Sequence, residues 1–341
     1  MMIDQNGVHL GKDGWLFLAA GSNEALRLLT DPSLFVVEDA ENWAAKLSER
    51  RRIINGLGAQ YLHMWVPDKI KVYSEQLNFD PDILRVDPPH MVRQCHAAAD
   101  LGDTIVDPLP ELLKYKSERL LFWKTDTHWT YWGACAAYLA LCSACGTNPV
   151  DCWGRPVHNL NLTLDLGSKL VPPVQEQWGG AQVLRDSKIV FKNEVVRFLE
   201  ILNPALSEPM LRGTCVRFRN SSADCDKRRV IVFGDSFCEY RPHLLTGLLA
   251  ETFQEVIFAW SPSIDYSLVE KFRADLVITE MAERFIKNSF DRNFPADGFD
   301  FYNFALDRLT GFINDKCGNV PNLLSRDKTR TDGLAALIGL P

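Results

Sequence analysis

Four short apolar runs constrain this chain more than anything else in it. They are AQYLHMWVP (residues 59–67), RRVIVFG (228–234), EVIFAW (255–260) and ADLVITEM (274–281). Each suits a strand, is too short for a typical helix, and is nearly continuous, the pattern of strands covered on both faces. Before and between them lie stretches with apolar residues at helical spacing: residues 38–57 with Trp43, Leu47, Ile53 and Ile54, then LLTGLLAETF and SLVEKF. Strands alternating with helices predict an α/β fold, a mostly parallel sheet flanked by helices and joined by right-handed crossovers. YWGACAAYLALCSACG predicts a buried helix stopped by Gly146. RLLFWKTDTHWT (119–130) predicts an apolar strand running into polar residues, and GKDGWLFL a tight turn feeding a short strand. Residues 150–228 are less regular and predict hairpins or an inserted lobe over the site. The expected organisation is one main domain over 1–295, containing that insertion, with a helical tail over 296–341.

Composition narrows the function. The formal net charge is -7 and no Lys/Arg block is long enough to track a phosphate backbone, so nucleic acid is disfavoured as a partner. No apolar run of about 18 residues appears, so no membrane span is expected. The start lacks a basic segment followed by an apolar one, which places the chain as written in the cytoplasm, or in the periplasm if its N-terminus was trimmed. Nine cysteines leave at least one unpaired. Cys135, Cys142 and Cys145 share a helical face and read as buried thiols. Cys215 and Cys225 flank a polar loop and offer a disulfide in an exported protein. The Cys142–Cys145 spacing has no second pair, and the seven histidines show no ligand cluster, so no metal is expected.

Two motifs carry chemistry. VIVFGDSF places Ser236 in a Gly-Asp-Ser turn after a strand, at the carboxyl end where open α/β sheets build their sites. There Gly234 and Ser236 serve the turn or supply amides to an oxyanion; equally, Asp235 and Ser236 read as helix caps. TDTHW sets Asp126 two residues before His128. A serine nucleophile needs a neutral imidazole as base, and that imidazole needs a carboxylate to fix its tautomer. Lys69 and Tyr73 after the first strand, Trp129 beside His128, Asp165 in DLG, and Arg284 after the last strand are candidate substrate contacts.

These pieces resemble the alginate O-acetyltransferase family of SGNH-like proteins, the group containing alginate acetylation proteins J and X. The matching segments are GKDGWLFL, VPDKIKVY (66–73), TDTHWTYWGA (125–134), FGDSF (233–237) and ADLVITEMAERFI (274–286), in family order over residues 8–290. The resemblance implies Ser236 as nucleophile with His128 and Asp126 as its partners, in the family's permuted order. It also implies O-acetyl transfer to a carbohydrate hydroxyl through an acetyl-serine. A glycan or polysaccharide would be the acceptor and a partner protein the possible acetyl donor, with no cofactor beyond that donor. The absence of an export signal, and only about fifty residues beyond residue 290, speak against a long polymer and leave a shorter glycan or a precursor made inside the cell as acceptor. Two other readings share these residues: a carbohydrate acetylesterase, and a non-catalytic carbohydrate-binding assembly protein.

Overall fold

The computed structural model describes residues 6–20, 24–98, 104–201, 212–287, 295–317 and 326–339. Among them the strands are, in chain order, β1 (Val8–Leu10), β2 (Leu16–Leu18), β3 (Gln60–Val66), β4 (Ile105–Val106), β5 (Val157–Thr163), β6 (Gln175–Ala181), β7 (Ser187–Lys192), β8 (Cys215–Asn220), β9 (Asp226–Gly234), β10 (Phe253–Trp260) and β11 (Leu276–Ala282). Seven form one sheet in the order β4-β3-β11-β9-β10-β8-β7. From β4 to β10 all pairs are parallel; β8 and β7 extend the edge antiparallel.

Strand alternation divides the core. Val230 and Val232 pack on one face with Leu62, Met64 and the helix Tyr131–Cys145. Ile231 and Phe233 pack on the other with Tyr61, Trp65 and the helices Val37–Gly56 and Tyr266–Phe272. Because both faces are covered, the strands read as continuous apolar runs rather than as an alternation. The sequence ADLVITEM therefore yields a β11 with every residue buried, Glu280 included.

Two expectations are corrected. Residues 119–123 form no strand; the chain makes only a single bridge, Phe122 to Trp129, which folds 123–128 into a tight loop. Leu121 and Phe122 are apolar because they pack in the core. Cys215 and Cys225 are both free thiols. Cys215 opens β8 and Cys225 lies beyond its far end. At about 3.3 Å per residue they are separated by roughly 17 Å of strand, far beyond the ~7 Å Cα limit of a disulfide.

The segment 150–228 splits. β7 and β8 join the main sheet, whereas β5 and β6 form a separate hairpin whose loop packs on residues 124–127. The helix Phe301–Cys317 and the helix Arg326–Ile338 cover the sheet, with Leu337 fully buried and its carbonyl bonded by Arg217. The sequence pattern also predicts a helix over His90–Ala99, which is observed as Pro88–Ala98; Ala99 lies outside the described residues. Among the described residues, no helix is long and apolar enough to cross a membrane.

Candidate active site

The site forms where β3, β9 and β11 end side by side. β9 leads to β10 on one side, and the chain then returns to β11 on the other, so the strand order reverses beside β9. A crevice at such a reversal is where open α/β sheets hold ligands.

Asp235 fixes the turn after β9. Its carboxylate accepts from Phe237 N (2.9 Å) and from Ala282 N at the end of β11 (2.9 Å). The Asp235 amide donates to Glu280 Oε2 (3.0 Å). Burial, then the Asp235 charge, push the Glu280 carboxyl well above its usual range. A Cβ on Gly234 would meet Glu280 Oε2 at 2.8 Å, so this close approach needs glycine. The Asp235 and Phe237 amides, on either side of Ser236, are both engaged in holding this turn.

The TDTHW loop supplies the other two groups. His128 Nε2 lies 2.8 Å from Ser236 Oγ, and His128 Nδ1 lies 2.7 Å from Asp126 Oδ1. The same Asp126 oxygen accepts the His128 backbone amide at 2.8 Å, so the carboxylate is locked to the residue it orients. This bond selects the tautomer with Nδ1–H, leaving Nε2 to accept from the serine hydroxyl. Burial would lower the His128 pKa, but the Asp126 charge and hydrogen bond, with Asp165 behind them, raise it overall. Asp126 is held well below the carboxylate range despite its burial, by His128 and then Lys69. Asp126, His128 and Asp165 each present a ligand atom within 4.8 Å of the others. Nδ1 is committed to Asp126, so a cation there would uncouple the imidazole from Ser236.

Three ionic groups hold the loop, the buried Lys69 and the half-buried Glu176 and Asp165. Lys69 Nζ donates to the carbonyls of Trp123 (2.9 Å), Lys124 (3.0 Å) and Asp126 (2.6 Å). Glu176 on β6 accepts from Lys124 N, Thr125 N and Thr125 Oγ1. Asp165 accepts from Thr127 N (2.8 Å) and Thr127 Oγ1 (2.5 Å).

The remaining sequence candidates are reassigned. Lys69 is buried under the loop and braces it, with burial bringing its ammonium down to about 8. Tyr73 is buried; its hydroxyl accepts from Leu121 N. Trp129 is only 1% exposed, donates to the Phe237 carbonyl and packs edge-on against Phe237, so it is no sugar platform. Arg284 is buried over the Phe237 and Phe285 rings, 3.8 Å from Asp68. Neighbouring Glu283 binds Asp68 N and Lys71. These four reach the site through other groups. Sequence reading missed Thr127, Glu176, Glu280 and the buried Glu239, whose charge acts on His128. Glu280 carried a signal: a carboxylate inside an apolar strand.

The fold and the end-of-strand serine define an SGNH-hydrolase-like protein. Solved structures agree on the fold. A DHHW family protein from Eubacterium siraeum superposes with a TM-score of 0.63 at 13% identity, covering 86% of this chain and 98% of that one. Bacillus cereus PatB1 with a sulfonyl adduct gives 0.56 at 13%, covering 82% and 97%. The O-acetyltransferase domain of Pseudomonas putida AlgJ gives 0.50 at 19%, covering 89% and 98%. Residues 8–154 match the family described as SGNH hydrolase-like domain, acetyltransferase AlgX. The probable alginate O-acetylases AlgJ of P. putida and P. aeruginosa are each 31% identical, over 140 and 128 residues, 40% and 38% of this chain. The matches span about a third of those relatives' length, 34% and 30%. The chain is thus similar over its N-terminal part to SGNH-like acetyltransferases and probable alginate O-acetylases.

Proposed function

We propose that this protein is a serine-dependent O-acetyltransferase that moves an acetyl group to a carbohydrate hydroxyl through an acetyl-Ser236 intermediate. The observation that carries the reading is the unbroken path from Ser236 Oγ to His128 Nε2 and from His128 Nδ1 to Asp126, at 2.8 and 2.7 Å.

His128 takes the hydroxyl proton as Ser236 Oγ attacks the acetyl carbonyl. The Ser236 amide stabilises the oxyanion, and the leaving group departs with the proton from His128. A sugar hydroxyl then gives its proton to His128 Nε2 and attacks the acetyl carbonyl; the bond from Ser236 Oγ to the acetyl group breaks, and Oγ takes the proton back from His128. Kinship with probable alginate O-acetylases supports acetyl as the group moved and a polysaccharide or glycan as the acceptor. A half-buried aromatic wall supports a sugar: Trp123 and Trp178 stack with centroids 6.4 Å apart at 30°, and His243 meets Trp178 at 5.8 Å. Trp178 lies two residues beyond Glu176 on β6 and so shares the strand face that grips the loop.

A second reading, an acetylesterase, is favoured by one observation. The His128 side chain is 30% exposed, so water has access to the base. Incubation with p-nitrophenyl acetate and a panel of oligosaccharides separates the two. Acetylated sugar, absent with Ser236→Ala, is the expected product. Acetate alone at every sugar concentration would sink transfer and leave the esterase. No p-nitrophenol release would sink both.

A further inference from the structure

We propose that Asp165 is a positioning residue of the Ser236–His128–Asp126 relay: its carboxylate fixes Thr127, the middle residue of the Asp-x-His turn, and faces the Nδ1 edge of His128 as a second negative charge. This rests on the acetyl-serine reading above. It replaces the substrate-contact role expected for Asp165 from sequence.

The geometry is specific. Asp126 and His128 are two residues apart, so their mutual orientation depends on the residue between them. Both donors of that residue, Thr127 N and Oγ1, end on Asp165. Leu166 N and Gly167 N, the next two amides after Asp165, donate to Thr125 O at 3.1 and 3.0 Å. The Asp165 loop and the catalytic loop therefore form one bonded unit. Asp165 Oδ2 stands 4.0 Å from His128 Nδ1, too far for a direct hydrogen bond and close enough for strong Coulomb attraction. Thr127 Oγ1, bonded to Asp165 Oδ2, stands beside both groups, 3.4 Å from Nδ1.

The charges around His128 come from several elements. Asp126 and Asp165 face Nδ1, Glu239 approaches from the turn after Ser236, and Arg284 approaches from the end of β11. Lys69 lies under the loop on the Asp126 carbonyl. The imidazolium formed during acylation thus has two carboxylates behind it. Burial and the Asp126 charge raise the Asp165 pKa, as expected of two acids sharing one partner.

The test uses the full chain and reads the His128 ring by NMR titration beside the rate of acylation by p-nitrophenyl acetate. Asp165→Asn keeps an oxygen for Thr127 N and removes the charge. His128 should then titrate at lower pH than in the wild type, and acylation should slow by about 10- to 100-fold, the loss of one charge-assisted contact. Thr127→Val keeps the charge and loosens the turn: the His128 titration should stay and the rate should fall. An Asp165→Asn protein with the wild-type His128 titration would overturn the proposal, as would wild-type rates in Thr127→Val. If the wild type never acylates, the acetyl-serine reading fails separately, because the His128 titration is read without turnover.

Discussion

Replacing Lys69 with methionine tests whether the catalytic loop is held from below. Methionine matches the length and apolar stem of lysine, so packing against Trp15 and Phe17 is largely kept, while the ammonium over those rings is lost. Three backbone carbonyls lose their donor, those of Trp123, Lys124 and Asp126. A buried acceptor left unpaired costs about 1–3 kcal/mol, and stranding a buried charge costs about 3–5 kcal/mol. Asp126, Asp165, Asp68 and Glu176 all act on the Lys69 charge and would lose it together. The loop is half-exposed in places, so some carbonyls would turn to water. A net loss of about 3–5 kcal/mol is therefore expected rather than the sum. Urea denaturation followed by tryptophan fluorescence reads it, beside the acylation rate, which should fall with it. A Lys69→Met protein within about 0.5 kcal/mol of wild type, acylating at the wild-type rate, would refute the claim that Lys69 braces the site.

Acylation should also depend on pH through His128. The base must be neutral, and its pKa is raised, so the rate should be full at high pH and fall as pH drops through that raised value. A flat acid limb would contradict the His128 role. Arg50 is buried and holds Asp297 by two bonds of 2.8 Å. Arg50→Met should cost about 3–5 kcal/mol by urea denaturation. The folded Asp297 pKa is lowered, so its contribution is present above the unfolded carboxylate pKa and is lost as pH falls through the folded one. The wild-type advantage over Arg50→Met should shrink on acidification; a constant gap would count against the pairing. Chelation with EDTA should leave acylation unchanged, since Nδ1 of His128 serves Asp126; a loss restored by a divalent cation would assign the Asp126–His128–Asp165 cluster to a metal instead.

The parallel sheet was legible because buried strands leave continuous apolar runs, and VIVF, EVIFAW and LVITEM have no other easy fate. The grouping of Ser236, His128 and Asp126, which the structure brings within hydrogen-bond distance, was legible because a hydroxyl, an imidazole and a carboxylate in two short motifs are distinctive in type. Their neighbours were not. Lys69, Tyr73, Trp129 and Arg284 look like ligand contacts on paper, since polar and aromatic residues near a motif suggest a surface. Burial decides otherwise, and burial of a lysine becomes visible only once three carbonyls converge on it. Glu176 lies 50 residues beyond the loop it grips, in a segment whose sequence has weak periodicity. Asp165 was noticed as a possible substrate contact, but its bonds to Thr127 were not legible, because the hairpin that brings the two together leaves no signal in spacing. The 119–123 run looked like a strand because core packing and strand pairing demand the same apolar residues.

The proposed reaction depends on covalent acylation of Ser236 with His128 as its base. Intact mass followed by peptide mapping after brief exposure to p-nitrophenyl acetate tests it most directly. The account predicts a gain of about 42 Da, one acetyl in place of one hydrogen, on the peptide carrying Ser236. It also predicts no gain with Ser236→Ala and a strongly reduced gain with His128→Ala. An acetyl group mapping to another residue, or an equal gain in the Ser236→Ala protein, would contradict it.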